Sequence, residues 1–252
     1  MPAAGVDGCK GGWVAVSLPD SAAAPLVTVA ASFEHLLDCL PPDTVFAVDM
    51  PIGLPDFCGR GGRGPEALVR PLLGQRQSSV FSVPARAAVY ADTAPFTTLE
   101  AWYDGHRRAS ALARTLSDPS RGVSIQAYGL FSRIRELDAV LRAQPELRGR
   151  VIESHPELAF WRLNGDRAMA LPKKVKNRVH APGMAERRTL LARHGFDPVF
   201  LQSAPPRGAG EDDFLDACVM LLIAERHARG ETISFPSPPA HDAYGLEVAI
   251  RV

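Results

Sequence analysis

Apolar and polar positions fall into three short blocks over the first thirty residues. Residues 4–7 are apolar and end on an acid, Gly8-Cys9-Lys10-Gly11-Gly12 has turn chemistry, and residues 13–18 are rich in β-formers. Residues 19–24 read as a loop and 26–30 as a third strand, so short connections predict an antiparallel meander. The period then changes. Ser32 is placed to cap a helix in which Phe33, Leu36, Leu37 and Leu40 form one apolar stripe, and Pro41-Pro42 stops it. Residues 44–49 are again a buried-strand pattern ending on an acid. Strand, crossover helix and strand predict that this segment runs parallel to an earlier strand.

Beyond it, residues 50–64 are a Gly-, Pro- and Arg-rich loop, and Pro65 opens a short helix through residue 73. Residues 75–81 read as a polar loop. Residues 99–116 and 124–141 read as helices, the second with a stripe at Ile125, Tyr128, Phe131, Ile134, Leu137 and Leu141. Residues 150–153 form a short strand, the third to end on an acid. Helices follow over 186–194, closed by Gly195, and 212–229, closed by Gly230, and a weakly alternating strand spans 246–252. The whole is an α/β pattern without internal repeats. It reads as one domain over residues 1–252, with a helical insertion at roughly 56–148.

The carboxylates change this picture most. Asp7, Asp49 and Glu153 end predicted strands, and sites in open α/β sheets form at such ends. Asp212, Asp213 and Asp216 open the last long helix, where Asp213 and Asp216 share a face and Asp212 is placed as the N-cap. Converging carboxylates raise one another's pKa and are tolerated where they hold a hard cation such as Mg²⁺ or Mn²⁺. Lys10, Arg76, Ser78 and Ser79 are candidate phosphate contacts. His155, two residues after Glu153, is a candidate proton carrier or water-orienting group. The chain has neither a Gly-x-x-x-x-Gly-Lys-Ser/Thr loop nor a Gly-x-Ser-x-Gly elbow.

Composition narrows the field. The 252 residues are 46% hydrophobic and 22% charged, with 28 basic and 28 acidic side chains. The balance excludes a globally basic nucleic-acid binder. It hides a division, however: residues 133–193 carry 14 Lys+Arg against 7 Asp+Glu. The densest stretch, 173–193, holds seven cations, Lys173 and Lys174 among them, and one acid, Glu186. Cations beside a carboxylate cluster suit a phosphate backbone. The first residues have neither a basic nor an apolar signal region, and the longest apolar helical run, 217–224, is far short of the about 18–20 residues of a membrane span. The four cysteines show no zinc-ligand spacing. A cytoplasmic protein with reduced thiols and no membrane partner is expected.

Several segments in order along the chain carry a resemblance. They are Gly5-Val6-Asp7-Gly8-Cys9-Lys10-Gly11-Gly12-Trp13, Val48-Asp49-Met50-Pro51-Ile52-Gly53-Leu54-Pro55, the stretch from Ser78 to Ala88, and Gln126-Ala127-Tyr128. Ile134-Arg135-Glu136-Leu137-Asp138, Glu153-Ser154-His155-Pro156-Glu157, Lys173-Lys174 and Asp212-Asp213-Phe214-Leu215-Asp216-Ala217 complete the set. With them the chain resembles a bacterial domain family of unknown function whose members are described as predicted RNase H-like nucleases. The resemblance implies a ribonuclease-H-like core: a five-stranded mixed sheet, three antiparallel strands then parallel ones, flanked by helices. It implies metal ligands at Asp7, at Asp49 or Glu153, and at Asp213 and Asp216. Where that family carries Cys-Asp-Arg, this chain has Cys58-Gly59-Arg60-Gly61-Gly62-Arg63-Gly64, and the segment after Lys173-Lys174 is longer.

Three functions fit. A Mg²⁺- or Mn²⁺-dependent nuclease with two-metal phosphodiester hydrolysis of DNA or RNA is the leading expectation. An actin-like nucleotide-binding phosphotransferase shares the core and the Asp7–Gly12 turn, but that class needs about 350 residues and two such domains. The third is a non-catalytic binding module.

Overall fold

A computed structural model describes residues 1–19, 24–176 and 178–252. The meander forms as β1 (Ala3–Cys9), β2 (Gly12–Leu18) and β3 (Leu26–Ala30). Helix α1 (Phe33–Asp38) starts at Ser32, whose hydroxyl accepts the His35 N–H, and leads to β4 (Val45–Val48). Helices α2 (Pro65–Val69), α3 (Arg86–Val89), α4 (Leu99–Thr115), α5 (Ile125–Gly129) and α6 (Phe131–Ala143) intervene before β5 (Val151–Glu153). Then come α7 (Pro156–Leu163), a small ribbon of β6 (Lys174–Val175) and β7 (Arg178–Val179), α8 (Ala181–Arg193), α9 (Pro198–Gln202) and α10 (Glu211–Ala228). Strands β8 (Ser234–His241) and β9 (Glu247–Arg251) close the chain.

The main sheet has the order β3-β2-β1-β4-β5, with β2 antiparallel to both β1 and β3 and with β1-β4-β5 parallel. This is the expected five-stranded mixed sheet, flanked by helices. Side-chain alternation sorts it into two faces. Ala3, Val14, Val16, Val45, Ala47 and Ile152 pack with α7, α8 and α10. Ala4, Val6, Trp13, Ala15, Phe46, Val48 and Val151 pack with α1, α4 and α6. Asp7 follows the parity of Ala3 and Gly5, and Asp49 that of Val45 and Ala47. Both therefore leave on the α10 side. Glu153 follows Val151 to the other.

Three expectations need correction. The stripe over 124–141 is two helices: Ser124 caps α5, and Gly129-Leu130 tightens into a turn with the Leu130 N–H on the Ala127 carbonyl. The polar loop at 75–81 is largely 3-10 helix (Arg70–Ser79), interrupted at Gly74, whose φ of 50° is left-handed. The expected final strand forms, in a two-stranded sheet of its own. Strand β9 pairs with the proline-rich β8, which tolerates Pro236, Pro238 and Pro239 because its register slips between Phe235 and Ala240. Finally, Gly210, not Asp212, is the N-cap of α10, and the Asp213 side chain reaches back to its N–H at 2.9 Å. Among the described residues no helix is long and apolar enough to cross a membrane.

Candidate metal centre

Parallel pairing of β1 with β4 brings two acids to one sheet edge. The register aligns Val6 with Val48, and the ladder runs one bond further, from the Asp49 N–H to the Val6 carbonyl at 2.9 Å. Asp7 is buried, and its Oδ1 accepts the Gly8 N–H at 2.6 Å. The third acid comes from α10. This helix lies directly on β1 because Gly5 has no side chain: a Cβ there would sit 2.1 Å from the Ala217 carbonyl oxygen and 2.0 Å from the Leu221 nitrogen. The close approach sets Asp216, beside Ala217, over the strand ends. One carboxylate oxygen each from Asp7, Asp49 and Asp216 lies within 4.8 Å of the others.

These three carboxylates strain one another electrostatically. Burial, then the charge of Asp216, pushes the Asp49 carboxyl up to about 8, with Lys173 opposing. Burial lifts Asp216 to about 6 against the pull of Lys173, whose ammonium pairs with its Oδ2. Asp7 is raised well above the usual range, by burial first and then by Asp49, Asp216 and Asp213. The Asp216 Oδ1 is buried without a hydrogen-bond partner. Three hard oxygen donors, mutual repulsion and an unsatisfied carboxylate oxygen fit a divalent cation of the Mg²⁺ or Mn²⁺ kind.

The other sequence candidates have different surroundings. Asp213 spends its Oδ2 on Gly210, although its charge reaches Asp7. Glu153 leaves β5 on the opposite face but lines the same cleft as Asp7 and Asp49, where Arg63 holds it with bonds of 2.6 and 3.0 Å and it accepts the Ile52 N–H at 2.7 Å. His155 borders the cleft next to Asp7 and Asp49. Its Nε2 faces the Ser79 carbonyl at 3.3 Å, and burial, then Lys173, pulls its pKa down to about 4, so the ring is neutral at neutral pH. Lys10 is exposed on the β1-β2 turn. Among the described residues, Arg76 reaches its neighbour Gln75, at 3.4 Å, and Ser79 donates to the Arg76 carbonyl at 2.8 Å. Ser78 lies in a second trough beyond Val80. Within the basic stretch, Lys173 and Lys174 pair with Asp216 and Asp212, Arg187 with Glu157 at 2.6 Å and Arg188 with Glu211 at 2.6 Å. These four cations compensate acids on α7 and α10.

Residues 5–241 match the family model described as protein of unknown function (DUF429). The chain belongs to that family. No curated protein and no solved structure matches it.

Periodicity gives no hint of three side chains that brace the site in this DUF429 chain. Arg63, in the glycine-rich loop, contacts Glu153, Glu66 at 2.7 Å and the Ile52 and Gly53 carbonyls at 2.7 and 3.0 Å. Burial works against its charge, but the two carboxylates more than offset that and raise its pKa. It thereby ties the loop after Asp49 to β5. Arg133 of α6 donates to the carbonyls of Cys9 and Gly12 and braces the turn after Asp7. Glu136, one helical turn on, accepts from the Trp13 indole at 3.1 Å and from the Phe33 N–H.

Proposed function

We propose that this DUF429 protein is a divalent-metal-dependent phosphodiester hydrolase acting on nucleic acid, with Asp7, Asp49 and Asp216 as the metal ligands. The observation that carries this reading is the convergence of the three carboxylates within 4.8 Å. Two acids on adjacent parallel strands and one on a helix, around a three-antiparallel, two-parallel sheet, also match what the ribonuclease-H-like resemblance implies. A bound Mg²⁺ or Mn²⁺, or a pair of them, would lower the pKa of a water and offset charge developing on the phosphoryl oxygens.

The chain's own groups have separable tasks in this reading. Asp7 and Asp49 are presented by a continuous parallel ladder, so their spacing is set by strand geometry. Lys173 holds Asp216 in place and keeps the acid cluster from carrying its full negative charge, which would repel a phosphate. Arg63 pairs with Glu153 and so offsets the negative charge that Glu153 adds beside Asp49. Neutral His155 offers a buried Nδ1 that no protein donor occupies.

The test is a Mn²⁺ titration by calorimetry, paired with cleavage assays on single-stranded, duplex, hybrid and junction substrates. Stoichiometric Mn²⁺ binding and cleavage, both lost in Asp7→Asn and Asp216→Asn, are expected. Cleavage that persists in both variants would overturn the assignment.

A further inference from the structure

Beside the acids lies a cleft of about 180 Å³. That is many times the roughly 10–15 Å³ that one water requires on the same measure. Asp7 and Asp49 form one end of it. Its other walls are apolar at Phe81, Val83, Leu130 and Phe131 and polar at His155 and the paired Arg63 and Glu153. Val80 and Phe81 lie between this cleft and a second, more open trough, because both residues line the two. That trough is polar and basic, with Arg70, Arg121, Ser78 and Ser82 in its walls.

The two arginines differ in how they are held. Arg70 is fixed by bonds to the Val80 carbonyl at 3.0 Å, the Gly61 carbonyl at 2.8 Å and the Ser82 hydroxyl at 2.8 Å. Arg121 is exposed on the loop before α5. Burial lowers the pKa of Arg70, Glu66 opposes the shift, and Arg121 lowers it further, so the two guanidinium charges feel each other. The Glu66 carboxylate is already engaged by Arg63 at 2.7 Å. An anion between the two arginines would relieve their repulsion, and the rigid Arg70 offers a preorganised half of such a site.

An acid cluster, a largely apolar cleft and a trough with two arginines thus adjoin one another, with Val80 and Phe81 shared between the last two. A stacked duplex cannot place a base in a narrow cleft, whereas an unpaired strand can insert a base and lay its next phosphate beyond. Resting on the hydrolase reading above, we propose that the substrate is single-stranded nucleic acid, with an unpaired base in the cleft against Phe81 and a flanking phosphate held by Arg70 and Arg121. The site selects strands by the apolar cleft and grips them by the trough.

Binding separates this proposal from the hydrolase reading. Fluorescence anisotropy with a labelled single-stranded oligonucleotide and with its duplex, both in metal-free buffer, needs no turnover. Single strands are expected to bind at least about tenfold tighter than duplex. Arg121→Glu, an exposed change, is expected to weaken single-strand binding by about tenfold and to reduce the salt slope by about 0.7, the value for one phosphate contact. Phe81→Ala is expected to weaken it by about tenfold with the slope unchanged, and Phe81→Leu serves if the alanine variant does not fold. Duplex bound as tightly as single strand, or Arg121→Glu within twofold of the parent, overturns the proposal. Absence of cleavage with the binding pattern intact would instead count against the hydrolase reading alone.

Discussion

Gly5 and Ala217 hold the strand and helix backbones in direct contact: a Cβ on Gly5 would lie 2.1 Å from the Ala217 carbonyl oxygen. The consequence is functional as well as structural, because Asp7 is two residues from Gly5 and Asp216 is next to Ala217. Gly5→Ala must push α10 off β1, an overpacking that costs about 1–3 kcal/mol. It is also expected to separate Asp216 from Asp7 and weaken Mn²⁺ binding. Gly149, with open space where its Cβ would be, is the control. Urea unfolding should show a lower midpoint for Gly5→Ala and little change for Gly149→Ala.

Asp49 and Glu153 sit at neighbouring strand ends yet should answer opposite tests. Asp49→Asn removes a carboxyl that must take up a proton on folding at neutral pH, so the metal-free protein is expected to gain stability and lose Mn²⁺ binding. Glu153→Gln strips Arg63 of one of its two buried partners. Breaking such a pair costs about 3–5 kcal/mol. Its Mn²⁺ stoichiometry is expected to persist. Calorimetric titration and thermal melts of both variants check this, and loss of Mn²⁺ in Glu153→Gln with the fold intact would reassign the ligand.

The contrast between those two residues also marks what was legible beforehand. The three acid-tipped strands, the meander and the parallel crossover follow from hydrophobic runs and turn residues, which are local signals. Choosing Asp49 over Glu153 as the partner of Asp7 required the β4-β5 register, which pairs Val48 with Glu153 and so sends Glu153 to the other face. Register is a long-range property, and no local pattern in residues 150–153 carries it. Arg63 was invisible for a related reason: its partners lie 3 and 90 positions away, and a glycine-rich loop has no periodicity. The basic stretch was visible, but charge counting alone does not show that Lys173 and Lys174 lie on Asp216 and Asp212.

The raised carboxyl pKa values give stability a definite pH dependence. A carboxyl whose pKa is higher in the folded than in the unfolded state stabilises the fold while it stays protonated. That contribution is lost as pH rises through the folded value. Asp216, at about 6, and Asp49, at about 8, therefore predict that the metal-free protein loses stability between about pH 4, the unfolded aspartate value, and pH 8. The slope is at most about 1.4 kcal/mol per pH unit for each proton released. Scanning calorimetry in chelator should show the melting temperature falling across this window. Mn²⁺ should reduce the fall, and Asp49→Asn should flatten its upper part.

Lys173 holds one oxygen of the carboxylate that a metal would use. Its ammonium pairs with the Asp216 Oδ2, and Asp216 and Glu157 raise its pKa against the effect of burial, so it remains charged throughout the usable pH range. A fixed positive charge at a ligand carboxylate opposes cation binding. Lys173→Met keeps much of the side-chain length and removes the charge, so Mn²⁺ affinity is expected to rise by about tenfold, equivalent to about 1.4 kcal/mol. The same change removes the group that tempers the acid cluster toward a phosphate. Oligonucleotide binding in metal-free buffer should therefore weaken while metal binding tightens. Calorimetry with Mn²⁺ and anisotropy with a single-stranded probe read the two effects separately. If both affinities fall together, Lys173 acts by positioning Asp216 rather than by competing for it.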